Sequence, residues 1–215
     1  MTHQVVYLHG FASSSQSTKA SYFGERLAGH GVGFRCPDFN EPDFSTLTIT
    51  RMLDQLAREL SSIAGPVTLI GSSLGGTLGI LAAARFAGKI DRLVLLAPAV
   101  MFARPGHHLF STERVEEWRH KGVLPIFHYA DNAERLLNFA FYEDSLRYNA
   151  FEASFPVPTL IFQGMRDTAV DHRTVEAFAA RRSNVTLCLL DDDHQLLVSL
   201  PRIWSDSEAF LGLID

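Results

Sequence analysis

Cysteine is scarce in this chain. Only Cys36 and Cys188 occur among 215 residues. Each sits within an apolar run, which argues against a disulfide framework or a thiolate-rich metal centre and predicts two buried free thiols. Long hydrophobic runs are also missing. No stretch approaches the roughly 20 apolar residues that a membrane helix needs. The opening Met1-Thr2-His3-Gln4 has no basic region leading into an apolar one, so no signal peptide and a reducing cytoplasm are expected. Nor is there an excess of positive charge. Lys and Arg number 19 against 24 Asp and Glu, a net charge of −5, which offers no global basic surface to nucleic acid or anionic membrane. Internal repeats and low-complexity tracts are absent too.

What is present is an ordinary globular composition, 47% hydrophobic and 20% charged. The chain is long enough to bury a sizeable core, and one domain over 1–215 is expected. Six short apolar runs read as strands: Val5–Leu8, Val32–Cys36, Val67–Ile70, Arg92–Ala97, Thr159–Gln163 and Val185–Leu190. Helical patterns lie between them. Thr18 to His30 carries Phe23 and Leu27 at i, i+4 and stops at Gly31. From Ser45 to Ala64, Met52, Leu53, Leu56, Leu60 and Ile63 keep helical period, predicting one helix ended by Gly65-Pro66. Asp171 caps a helix reaching about Arg182, and Ile203, Trp204, Phe210 and Leu211 mark a last one. Unbroken apolar strands alternating with helices predict an α/β protein, a parallel six-stranded sheet inside a three-layer α/β/α sandwich.

One segment breaks the rhythm. Residues 101–158 separate the fourth and fifth strands, far more than a crossover needs. Thr112–Lys121 reads as a helix, and Leu124–Tyr129 with Leu136–Phe141 as a hairpin. The stretch is rich in aromatics, including Trp118 and Phe141, and predicts a small cap folded over the strand ends, with its aromatics forming its own core or a substrate wall.

The segment Gly71-Ser72-Ser73-Leu74-Gly75 joins a strand to a small-residue helix. In that context G-x-S-x-G reads as a nucleophile elbow, a strained turn that lifts the serine hydroxyl above the sheet. Glycines on either side let strand and helix approach, and Gly76 and Gly79 are expected to thin the helix face further. Ligands of open parallel sheets bind beyond the carboxyl ends of the strands. Four polar motifs lie there: His9-Gly10-Phe11, Ser73, Asp167 and His194. A serine hydroxyl needs a base in contact. His194 supplies it, and Asp167 orients the imidazole; Asp191 and Asp192, close to His194 in sequence, are the alternative acids. The backbone N–H groups of Leu74 and Phe11 are the candidate oxyanion donors. His9 shapes the loop rather than acting as base; His9, Gly10, Trp118 and Phe141 are the candidate substrate contacts. Ser13-Ser14-Ser15 reads as solvated loop or as lining of the site mouth. His107-His108 and His128 lack ligand spacing, so no metal is expected.

On these residues the whole chain resembles the α/β-hydrolase superfamily, and more narrowly the small bacterial YqiA-like esterases. The likeness is carried by Tyr7 to Ala20 (Tyr-Leu-His-Gly-Phe, Ser-Ser, Ser-x-Lys-Ala) and by Ile70 to Gly76. Where such relatives often carry glycine before the histidine, this chain has Asp191-Asp192-Asp193. The resemblance implies an α/β-hydrolase fold without its N-terminal hairpin, a Ser73–His194–Asp167 triad, a small-molecule acyl ester as substrate and no cofactor. A thioesterase or amidase with the same triad, or a non-catalytic binding module on the same fold, are the rival expectations.

Overall fold

The computed structural model describes residues 3–104 and 110–214. Six parallel strands form one sheet: β1 (Gln4–Leu8), β2 (Gly33–Arg35), β3 (Val67–Ser72), β4 (Ile90–Leu96), β7 (Thr159–Gly164) and β8 (Val185–Leu190), in the order β2-β1-β3-β4-β7-β8. The four inner strands are apolar along nearly their whole length because both of their faces are covered. Val6 pairs with Leu69, Gly71 with Leu95 and Ser72 with Leu96, so the ends of β1, β3 and β4 arrive side by side.

Two hydrophobic clusters fill the two faces. One lies beneath α1 (Thr18–Gly29) and α7 (Leu200–Leu211), and holds Phe23, Leu27, Ile203 and Leu211. The other lies beneath α2 (Ile49–Ser61), α3 (Leu74–Arg85) and α6 (His172–Ala180), and runs on into residues 101–158. Side-chain caps set the helix starts: Ser17 accepts from Ala20 N–H and Thr48 from Arg51 N–H. The single helix expected over 45–64 is two elements. Asp43 caps a 3-10 turn at Phe44–Thr46, and Thr48, in extended conformation, restarts the chain as α2. Cys36 and Cys188 are free, yet half-buried rather than buried. Cys36 follows the edge strand β2, and Cys188 lies on the opposite edge strand β8.

Residues 101–158 contain α4 (Thr112–Lys121), an antiparallel hairpin of β5 (Val123–His128) and β6 (Ala133–Asn138), and α5 (Ala140–Ser145). The hairpin is present where expected, but its second strand ends earlier. Phe139 N–H still bonds across the hairpin to Gly122 O at 2.8 Å, but its backbone is already helical (φ −59°, ψ −24°) and Tyr142 N–H bonds Phe139 O at 2.9 Å, which puts Phe139 and Phe141 in a helical turn instead of a strand. There they pack on Trp118, which is fully buried and donates its indole N–H to Leu137 O at 2.9 Å. Several hydrogen bonds and an Arg181–Glu152 ion pair hold this unit to the body. Tyr129 N–H bonds Ala12 O at 2.9 Å. Asp144 accepts from Thr50 N–H at 2.8 Å and Thr50 Oγ1 at 2.6 Å. Among the described residues no helix is long and apolar enough to cross a membrane.

Where α3 crosses β1 the two backbones approach closely. A Cβ on Gly75 would sit 1.9 Å from Leu8 O, whereas one on Gly79 would meet only ordinary side-chain contacts, Leu95 Cδ2, Leu8 Cδ1 and Leu93 Cδ2 at 3.5, 3.8 and 3.9 Å. Gly76 does thin the helix face, against Pro98, but Gly79 is not required for it. Gly75→Ala should therefore cost about 3 kcal/mol or more, since backbone cannot give way as a side chain can. Gly79→Ala should be neutral or gain up to about 1 kcal/mol of helix propensity. Urea midpoints of the two variants measure the difference; equal midpoints would contradict the close-approach account.

Candidate active site

Ser73 stands between β3 and α3 with φ 53° and ψ −113°, a region that costs a residue with a side chain on the order of 1–3 kcal/mol. The surrounding backbone holds it there. Ser73 N–H bonds Leu96 O at 2.9 Å, and Ser73 O accepts from Gly76, Thr77 and Ala99 N–H groups at 2.9, 3.2 and 3.2 Å. The hydroxyl caps nothing in α3. It lies instead 3.1 Å from Nε2 of His194.

His194 Nδ1 is 2.7 Å from Asp167 Oδ2. A carboxylate only accepts, so Nδ1 carries the proton and Nε2 presents its lone pair to the Ser73 hydroxyl. Asp167 is itself held on all sides. Its Oδ1 accepts from Ala169 and Val170 N–H, both at 2.8 Å, and its Oδ2 also accepts from Gln163 Nε2 at 2.9 Å. Burial alone would raise the Asp167 carboxyl. Hydrogen bonds from His194 and Val170, the imidazole charge and Gln163 outweigh it and hold the group below the usual carboxylate range.

The three aspartates before His194 are engaged elsewhere. Asp191 is exposed and pairs with Arg166 at 3.1 Å. Asp192 is buried and accepts from Asp193 N–H and Ser199 N–H, each at 2.8 Å. Asp193 accepts from Gln195 N–H at 2.8 Å. Gly164 gives the loop room: a Cβ there would lie 2.5 Å from the carbonyl oxygens of Asp192 and Asp193.

Leu74 N–H and Phe11 N–H have no acceptor among the described residues. The loop after β1 passes beside the serine: a Cβ on Gly10 would be 3.6 Å from Ser73 Cβ. Gly10, Phe11, Ser73, Leu74 and His194 all line one open cleft of about 1360 Å³. His9 does not line it. Its ring is buried, with Nδ1 bonded to Gly10 O and Nε2 accepting from Phe39 N–H, both at 2.9 Å. Trp118 and Phe141 line a separate cavity of about 20 Å³ inside the 101–158 unit. Among the described residues no group of three or more His, Cys, Asp or Glu side chains is arranged to hold a metal ion; His107 and His108 lie outside the described residues.

Three residues around the site have roles that the sequence did not assign to them. Gln163 is fully buried and supports Asp167; a glutamine ending an apolar strand was its only signal. Asp192, named only as an alternative acid, braces the histidine loop instead of touching the imidazole, and nothing in the Asp191-Asp192-Asp193 run signals that role. Lys19, only 9% exposed, donates from Nζ to Gln195 O at 2.9 Å. Burial pushes its ammonium down to about 8, against the pull of Asp193, Asp167 and Asp192.

This sheet, with a serine at the β3–α3 turn and a histidine after the last strand, has the α/β-hydrolase fold. It superposes on Est1E of Butyrivibrio proteoclasticus with ferulic acid bound at a TM-score of 0.84 and 22% identity, covering 97% of this chain and 88% of that one. It superposes on alpha/beta hydrolase domain-containing protein 10 of mouse at 0.80 and 21%, covering 100% and 92%. Residues 4–205 match the family described as "Uncharacterised protein family (UPF0227)", and the chain belongs to that family. Among curated sequences it is 24% identical over 186 residues to palmitoyl-protein thioesterase ABHD10, mitochondrial, of Bos taurus, which is 82% of this chain and 61% of that protein. It is 32% identical over 122 residues to the biotin biosynthesis bifunctional protein BioHC of Teredinibacter turnerae, 54% and 20% respectively. The chain thus spans less than two thirds of either curated relative.

The carboxylates make stability depend on acid. In Asp192, burial again opposes ionisation, but hydrogen bonds from Ser199 and Asp193 win and lower its titration. A carboxyl lowered on folding stabilises above its unfolded value, near 3.9, and that contribution is lost as pH falls through its folded value. The urea midpoint should therefore drop below about pH 4. Asp192→Asn should be less stable at pH 7 and lose less between pH 5 and 3; an unchanged slope would contradict the bracing role.

Proposed function

We propose that this chain is a serine esterase that cleaves carboxylic esters through a covalent acyl-enzyme. The observation that carries the reading is the hydrogen-bonded series from Ser73 Oγ to His194 Nε2 and from His194 Nδ1 to Asp167, at 3.1 and 2.7 Å, mounted on a strained serine. In the proposed reaction Ser73 Oγ attacks the ester carbonyl carbon while its proton passes to His194 Nε2. Asp167 stabilises the imidazolium, and the Leu74 and Phe11 N–H groups receive the oxyanion. Collapse breaks the carbonyl–alkoxy bond as His194 gives its proton to the departing alcohol. Water, deprotonated by His194, then attacks the acyl-enzyme; the acid leaves and Ser73 recovers its proton. The chemistry calls on no cofactor.

An acyl thioesterase is the second reading. It is favoured by the likeness to the palmitoyl-protein thioesterase, and thioesters pass through the same tetrahedral species. Matched oxygen and sulfur esters of one acid separate the two readings by kcat/KM.

Single-variant kinetics test the assignment. Ser73→Ala should keep its fold and lose essentially all turnover. Asp167→Asn should lower kcat at least about a hundredfold, a discounted form of the loss seen when a triad acid becomes an amide. Asp191→Asn, which breaks only the exposed pair with Arg166, should cost less than about tenfold, some 1.4 kcal/mol. A near-normal Asp167→Asn beside a crippled Asp191→Asn would overturn the choice of acid.

A further inference from the structure

The cleft around Ser73 has two chemically different walls. One is apolar: Leu74, Met101, Phe102 and Ile126 line it, and all four pack on the cluster shared with the 101–158 unit. The other is built from the serine-rich loop after β1 and the first turn of α1. Ser13, Ser15, Thr18, Lys19 and Gln195 line it. Two hydroxyls of that segment are committed to the backbone: Ser14 accepts from Gln16 N–H and Ser17 from Ala20 N–H. The hydroxyls of Ser13, Ser15 and Thr18 meet no protein partner among the described residues. Lys19 joins this wall to the histidine loop through Gln195 O, one residue after His194.

Proton flow orients a substrate between these walls. His194 must protonate the leaving oxygen, so the alcohol departs beside the imidazole, against the wall that Lys19 ties to it. The acyl group, the other substituent of the carbonyl carbon, then points toward the wall behind Leu74. On the esterase reading above, we propose that the two walls sort the two halves of the ester. An apolar acyl group lies along Met101 and Phe102, and a hydroxyl-bearing, polyol-type alcohol is hydrogen-bonded by Ser13, Ser15 and Thr18. These side chains are half-exposed or exposed, so a polar alcohol replaces their hydrogen bonds to solvent, whereas an alkyl alcohol would desolvate them without replacement.

The test uses glyceryl monobutanoate and propyl butanoate, which differ only by two hydroxyls on the alcohol. The expected kcat/KM ratio is at least tenfold in favour of the glyceryl ester. In Ser13→Ala/Ser15→Ala/Thr18→Val it should fall to within about twofold, and in Ser15→Ala alone to an intermediate value. Each ratio is taken within one protein, so damage to folding or to the nucleophile cancels. Met101→Asn should lower the preference for p-nitrophenyl octanoate over acetate about fivefold and keep the glyceryl-to-propyl ratio. A wild-type ratio near one, or a ratio that survives the triple substitution, overturns the proposal. A fluorophosphonate probe separates the two levels. Labelling of the wild type with a ratio near one overturns this proposal alone, whereas no label and no turnover of either ester overturns the esterase reading and this one with it.

Discussion

Everything at the site depends on the backbone of Ser73 being held where a residue with a side chain does not rest by choice. The conformation survives because the groups around it leave no alternative. Leu96 O, at the end of β4, takes the Ser73 N–H, while three N–H groups converge on the Ser73 carbonyl. These bonds form only if α3 descends directly onto the end of β1, and that descent requires Gly75 to pass within a bare hydrogen of Leu8 O. Strain in one residue is thus balanced by a strand register and a helix crossing. What the strain achieves is simple: it presents the hydroxyl to the cleft beside the first N–H of α3, which has no acceptor among the described residues.

The histidine side is organised by a second, softer set of constraints. His194 follows the edge strand β8, on a loop that lacks a secondary structure of its own. Its position is defined by what grips the loop from several directions. Asp192 accepts from Ser199 beyond the histidine, Asp193 from Gln195, Arg166 donates to Asp191, and Lys19 reaches across from α1. Asp167 is fixed more rigidly, by two backbone N–H groups and Gln163 beneath it. The acid is therefore the fixed end of the series, and the base is tuned by its loop. In such an arrangement a substitution two or three residues away from His194 acts through position rather than through chemistry.

The sequence carried the sheet and the serine turn clearly, because both are written in local patterns. The strands are unbroken apolar runs, and the elbow is a strand and a helix around two glycines. The hairpin between Val123 and Asn138 was also readable, though Phe139 and Phe141 were assigned to a strand that their packing on Trp118 converts into a helical turn. Two capping residues, Asp43 and Thr48, split one expected helix into a turn and α2, since a cap competes with a hydrophobic period that runs straight through it. Trp118 and Phe141 were expected to touch substrate and are core residues of the 101–158 unit instead. The roles of Lys19 and Gln163 were not legible, although Lys19 stands in the Ser-x-Lys-Ala likeness and Gln163 ends an apolar strand. Each acts on a partner far away in the chain or through a buried amide, and no local pattern reports such a contact.

The account's central claim is that one serine is activated by one imidazole. A fluorophosphonate followed by peptide sequencing tests it most directly, because the reagent phosphonylates only an activated hydroxyl. The predicted result is a single adduct on Ser73 in the parent protein and its near-complete loss in a folded His194→Ala variant. An adduct on another residue, or labelling of Ser73 that persists unchanged without the imidazole, would contradict the account.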